Sequence, residues 1–301
     1  MILRGVEALL LICALVCLGL LIRGVSGDLK DLANDRAMRE RIQAGSGGAV
    51  EDSEQGSREG RSLLSQFFGN SAMAEEMYDA PNARQTVNPS VASQMAVAYE
   101  SGPEVVGILE AGKDIGVYVP QGTDNEFYLN HDITGRSSKA GAAFLDYRCQ
   151  LFPRSAHLMI HGHNMRSGAI FGNLDRFSDP NYLRENPVFY WTTLSGRETY
   201  VPYAISEISV SKKDAHYYKM TRFDFETDED FKAFTGGLQE RSLVELPIDV
   251  EPGDPLLSLV TCNYEYDNGR LIIALRKVRD DEDIEELVKR IYDDSRRRAS
   301  D

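Results

Sequence analysis

From about Val91 onward the chain carries short apolar runs at close intervals, separated by turn-forming residues. The runs are Ile115–Val119, Gly141–Asp146, His157–His161, Glu198–Ser211, Leu256–Cys262 and Leu271–Val278. Their lengths and β-branched content predict strands, and their number predicts a barrel or a sandwich. The last two runs form the clearest unit. Leu257, Leu259 and Thr261 alternate with Ser258, Val260 and Cys262, a period of two. Asp267-Asn268-Gly269 then supplies a tight turn, because Asn and Gly accept positive φ. The spacing thus predicts a hairpin over Leu256–Lys277. Helical patterns lie between and around the strands. Val91–Tyr99 precedes the apolar run Pro103–Leu109, and Asn173–Phe177 with Asn181–Asn186 fills one connection. Asp228–Arg241 fills another, opening on acidic residues suited to a helix N-terminus. Ile284, Leu287, Val288 and Ile291 fall at i, i+3, i+4 and i+7, an amphipathic terminal helix.

The first ninety residues have a different texture. Ala8–Ile22 is an unbroken apolar run between Arg4 and Arg23. As a helix it would reach roughly 22 Å, short of the ~30 Å hydrocarbon core. It fits a signal-peptide core or a short anchor with snorkelling flanks, and an uncleaved, single-pass signal anchor at the cell membrane is expected. Residues 28–90 read as an extracytoplasmic stalk. Asp28–Gln43 has helix-forming composition and mixed charge without a broad apolar face, Ala44–Gly48 is flexible in composition, and the rest is rich in Glu and Ser. The organisation expected is therefore an anchor over 1–27, a stalk over 28–90, a folded domain over 91–280 and a terminal helix with tail over 281–301.

Charge and cysteine content narrow the function classes. The formal net charge of −14 excludes a basic nucleic-acid surface, so no nucleic-acid partner is expected. Only Cys149 and Cys262 lie in the expected folded domain, which gives neither a disulfide framework nor a CxxC metal set. A Cys149–Cys262 bridge is arithmetically open, but it would quench the Cys262 thiol.

The hairpin places a thiol, Cys262, at the end of one strand and a fixed cation, Arg270, at the start of the next. A cation beside a sulfur, or beside an acyl oxygen the sulfur attacks, is what thiol chemistry uses. The chemistry also needs a proton-handling group. Among five histidines, His161-Gly162-His163-Asn164 closes the strand His157–His161 and enters a Gly-containing loop. His161 and His163 would share a strand face, so two metal ligands are the competing reading, but no third ligand stands at telling spacing. No metal and no cofactor is expected.

Together His157–Leu174 (HLMIHGHNMRSGAIFGNL) and Ser258–Arg270 (SLVTCNYEYDNGR) resemble the class B sortases, cysteine transpeptidases of Gram-positive cell surfaces. The likeness extends through Gln121–Asp132, Ser138–Gly141 and Phe144–Tyr147, and covers about Val91 to Val278. It includes the Asp228–Arg241 helix, which looks like the extra helix of class B members. The resemblance implies a mainly β fold, a closed barrel of about eight strands with N-terminal helices and a helix between two late strands. It implies that His163, Cys262 and Arg270 are catalytic. It implies a substrate class of surface proteins or pilins with a C-terminal sorting signal, cleaved after Thr through a thioacyl-enzyme. The acceptor would be an amine of a peptidoglycan precursor or pilin. His161, where an aromatic residue is common, and Val260, where Ser is usual, depart from the family pattern. A secreted Cys-His peptidase, with the same nucleophile and water as acceptor, is the alternative.

Overall fold

In the computed structural model, residues 29–30, 32–44, 89–102, 104–263 and 268–298 are described. Helix α1 covers residues 32–44 and α2 covers Pro89–Ser101. Strands β1 (Val105–Ala111) and β2 (Ile115–Pro120) form a hairpin. After a long connection come β3 (Phe144–Leu145) and β4 (His157–His161), then the short helix α3 (Pro180–Glu185). Strands β5 (Phe189–Thr193) and β6 (Gly196–Ser209) follow, with α4 (Asp228–Gln239) between β6 and β7 (Leu256–Asn263). Strand β8 (Gly269–Lys277) and α5 (Ile284–Arg298) end the described chain.

All eight strands join one sheet in the order β2-β1-β5-β6-β8-β7-β4-β3. Its edges β2 and β3 approach each other, so the sheet curls into a nearly closed barrel. Closure removes the exposed edges that an open sheet of this size would present. The inner face is filled by side chains such as Leu145, Leu158, Ile160, Trp191, Tyr200, Leu259 and Ile273, all essentially inaccessible. A smaller core lies beneath the N-terminal helices, where Ile42, Val91, Met95 and Ala98 meet Ile108, Tyr118 and Phe144. The expected mainly β architecture, with helices at the N-terminus and between late strands, is the one observed.

Three local departures have physical reasons. Only Phe144–Leu145 of the expected strand Gly141–Asp146 joins the sheet. Gly141 adopts φ 64°, and Asp146 turns its carboxylate onto Arg148 instead. Strand β5 was not expected. Its sequence, Phe-Tyr-Trp-Thr-Thr, is short and follows Asn186-Pro187, so it reads as the tail of the helical connection. Residues 32–44, within the span read as stalk, form a helix that lies on the barrel and buries Ile42 and Asp35.

The location expected at a membrane is overturned. Among the described residues no helix is long and apolar enough to cross a membrane. Ala8–Ile22 itself, with the expected stretch 1–27, lies outside the described residues.

Strands β4 and β7 are fastened at their starts by His157, which is wholly buried. Its Nδ1 donates to the Arg222 carbonyl at 2.5 Å, and its Nε2 accepts from Ser258 Oγ at 2.8 Å. Burial pushes its pKa down to about 4, the Arg222 bond opposing and Arg154 adding to the fall. The sign follows from proton binding. Between about pH 6.5 and 4 the unfolded chain holds a proton on this ring that the folded chain refuses. His157 therefore contributes full stability above about pH 6.5, which is lost as pH falls toward 4, about 3 kcal/mol in all. Chemical denaturation at pH 7.5 and 4.5 should reveal this loss, with a shallower pH dependence in His157→Asn. Equal slopes in both proteins would remove the ring from the acid response.

Candidate active site

The site is set by two strand registers. Strands β4 and β7 run parallel, with His161 opposite Val260. The Gly162 N–H then donates to the Val260 carbonyl at 3.1 Å, which carries the pairing past the end of β4. Two residues beyond that pair stand His163 on one chain and Cys262 on the other. On its other side β7 runs antiparallel to β8, and Cys262 lies directly opposite Arg270. Cys262 and Arg270 are thus cross-strand neighbours, and His163 follows the last β4–β7 contact by one residue. Strand ends of a rigid sheet are where a scaffold fixes groups that solvent can reach.

The connection from β2 to β3 orients His163. It contains a one-turn 3-10 helix, Phe127–Leu129, and the Leu129 carbonyl lies 2.8 Å from His163 Nε2. A carbonyl oxygen only accepts, so Nε2 carries the hydrogen and Nδ1 is the basic nitrogen of the neutral ring. The Leu129 carbonyl is held in turn by a tight crossing of the chain. Gly141 passes against it with φ 64°, and a Cβ there would lie 2.4 Å from the Tyr128 oxygen and 2.7 Å from that of Leu129. The Ala142 N–H also donates to Tyr128 O at 2.9 Å. Sequence gives no sign of a backbone partner for His163, although Gly141 is the residue that makes the approach possible. Gly141→Ala should therefore displace Leu129 and misalign the ring. We expect at least a tenfold fall in kcat, and about 1–2 kcal/mol lost to the left-handed backbone alone. Steady-state kinetics beside a thermal melt will show it; wild-type kcat would mean the carbonyl has no part in orienting His163.

His161 has a separate employment. Its Nε2 lies 3.0 Å from Asp146 Oδ2, a buried carboxylate that also accepts three bonds from Arg148, one of them from the backbone N–H, and one from Asn125. Burial raises the Asp146 pKa, but the bonds from Arg148 and His161 outweigh it and hold the carboxyl well below its usual range. The two rings of the His-x-His pair thus serve different partners. Among the described residues no cluster of three or more His, Cys, Asp or Glu side chains forms a metal-binding group. Cys149 is a free, buried thiol, pushed up to about 12 chiefly by burial, with its Sγ 3.9 Å from the His157 carbonyl. A thiol so raised is a poor nucleophile.

Arg270 is half-buried, and its Nη1 donates to the Gly269 carbonyl at 2.8 Å. Among the described residues no carboxylate pairs with it. Arg276, further along β8, is the opposite case. It is fully buried and bonded to Glu282 through both terminal nitrogens, at 2.5 and 2.6 Å, and through Nε to the Asp249 carbonyl at 2.8 Å.

Residues 117–278 match the family model for the sortase domain. This chain belongs to the sortase family. Sortase B of Listeria monocytogenes is 28% identical over 204 residues, which cover 66% of this chain and 80% of that protein. The solved Clostridium perfringens sortase B superposes with a TM-score of 0.56 at 22% identity, covering 62% of this sortase and all of the other chain. Sortase B of Bacillus anthracis gives 0.54 at 26% identity, over 62% and 84% of the two chains. These relatives all carry the class B name, and the α4 insertion between β6 and β7 accords with that class. Membership makes the protein a cysteine transpeptidase acting on surface proteins that bear sorting signals.

Proposed function

We propose that this sortase cleaves its surface-protein substrate after a threonine in the sorting signal, with Cys262 as nucleophile, His163 as acid–base and Arg270 as the electrophilic support. The registers support the reading: Cys262 pairs with Arg270 across the β7–β8 hairpin, and His163 lies just past the β4–β7 pairing. The Cys262 thiolate attacks the threonine carbonyl carbon, and the oxygen takes the negative charge beside Arg270. Collapse of that adduct breaks the C–N bond, and His163 gives its proton to the departing amine. The product is a thioester on Cys262. An incoming amine, from a peptidoglycan precursor or a pilin, then attacks the thioester and loses a proton to His163. The new amide leaves, and the thiolate is restored. The Leu129 carbonyl keeps the imidazole aimed through both proton transfers. Coverage of a Staphylococcus aureus sortase B–substrate complex by 73% of this chain, at a TM-score of 0.57, supports a barrel able to hold such a peptide.

The test is incubation with sorting-signal peptides that differ in sequence before a fixed threonine, with and without hydroxylamine as a model amine. Intact-mass and peptide mapping should find an acyl adduct on Cys262 that hydroxylamine discharges as the hydroxamate. An adduct elsewhere, or release to water alone despite excess amine, would replace this reading with that of a cysteine peptidase.

A further inference from the structure

We propose that Asp35, on α1, is a positioning residue for His163, acting through the backbone of Ile170. The inference rests on His163 as the acid–base group. The loop that follows His163 returns on itself: Asn164 and Ile170 form an antiparallel bridge, and the Phe171 N–H donates to the His163 carbonyl at 3.2 Å. The return leg presses directly on the residue before the histidine. A Cβ on Gly162 would lie 2.6 Å from the Phe171 ring and 2.9 Å from Ile170 Cγ2. The conformation of Ile170 therefore sets the path of the chain on both sides of His163.

That conformation is one an isoleucine avoids. Ile170 has φ 56°, in the left-handed region, where a β-branched side chain crowds its own backbone. Something outside the loop must hold it there. The Ile170 N–H points at Asp35 Oδ1, 3.5 Å away, on a carboxylate that is 6% exposed. The other oxygen, Oδ2, pairs with Arg39 at 2.8 Å. Helix α1 has independent moorings on the β1–β2 hairpin. Arg39 donates to the Asp114 carbonyl, Met38 Sδ accepts from the Tyr118 N–H at 3.4 Å, and Ile42 is buried in the smaller core. The helix is thus fixed to the barrel at one place and reaches the histidine loop at another. A contact that only docked the helix would not need to fall on the strained residue of the loop.

The proposal is tested in the full chain by peptide acylation kinetics and thermal melts. Asp35→Ala should lower kcat by roughly 10- to 100-fold while KM stays within about twofold, since the loss is in alignment and not in binding. Asp35→Asn keeps an acceptor for the Ile170 N–H and loses the charge, so it should recover most of kcat. Ile42→Ala removes a mooring of the helix in the smaller core that does not touch Asp35, and should lower Tm with kcat little changed. Ile170→Gly relieves the strain that Asp35 restrains, so adding Asp35→Ala to it should cost less than about twofold in kcat. That pair and Asp35→Asn remain readable if Asp35→Ala alone does not fold. Wild-type kcat in Asp35→Ala, equal losses in the Ala and Asn variants, or an undiminished Asp35→Ala loss in the Ile170→Gly background would each overturn the proposal. His163→Ala is the reference: if it retains activity the acid–base reading itself falls, whereas an inactive His163→Ala beside a fully active Asp35→Ala overturns only the role of Asp35.

Discussion

Arg270→Ala should slow acylation of Cys262 by a sorting-signal peptide by roughly 10² to 10³, with the melting temperature nearly unchanged. The rate loss is that typical of removing one donor to a developing oxyanion. The unchanged stability follows from the surroundings of Arg270, which is half-buried, bonds within the described structure only to the neighbouring Gly269 carbonyl, and has no carboxylate partner among the described residues. Among the described residues its removal strands no buried charge. Arg270→Lys should recover only part of the rate, because an ammonium keeps the charge but lacks the planar fork that grips two acceptors. A small alkylating reagent should still label Cys262 in both variants, since that reaction develops no oxyanion. The measurement is single-turnover thioester formation followed by mass spectrometry. Full acylation by Arg270→Ala would remove the guanidinium from the mechanism.

The same residue illustrates what the sequence made legible. Strand alternation and the Asn-Gly turn placed Cys262 and Arg270 across one hairpin, because a period of two and a positive-φ turn are local properties. The pairing of β4 with β7 is not local. His157 and Leu256 are far apart in the chain and meet only through a parallel register, which periodicity does not encode. Family motifs bridged that gap, while elementary patterning left the metal reading of His161 and His163 open. Backbone partners were invisible altogether. The Leu129 carbonyl beside His163 and the left-handed Ile170 depend on where loops cross, and a carbonyl has no residue type to betray it. The docking of α1 was equally hidden, although the composition of Asp28–Gln43 favours a helix. Its mixed charge suggests a solvated segment, and the apolar residues that dock it, Met38 and Ile42, make too narrow a stripe to read.

Six residues beyond Arg270 on the same strand, Arg276→Ala should do the reverse, costing about 3–5 kcal/mol of stability. Arg276 is wholly buried, and three of its bonds join β8 to the stretch leading into α5 and to the Asp249 carbonyl. Burial raises the Glu282 carboxyl, but the bonds from Arg276 and Arg279 outweigh it, and the net pKa is lowered. Deleting Arg276 leaves that carboxylate enclosed with only Arg279 to offset its desolvation. Folding would then favour a protonated Glu282, so the defect should be worst above the carboxylate range and ease as pH falls. Replacing both partners, as Arg276→Met with Glu282→Leu, removes the charges together and should restore much of the loss, because a buried pair often contributes little over an apolar pair of similar volume. Denaturant midpoints at pH 7.5 for the single and double variants make the comparison. At temperatures where Arg276→Ala is folded, its acylation rate should stay near wild type, the opposite of Arg270→Ala. A rate loss in folded Arg276→Ala larger than that of Arg270→Ala would transfer the electrophilic role from one arginine to the other.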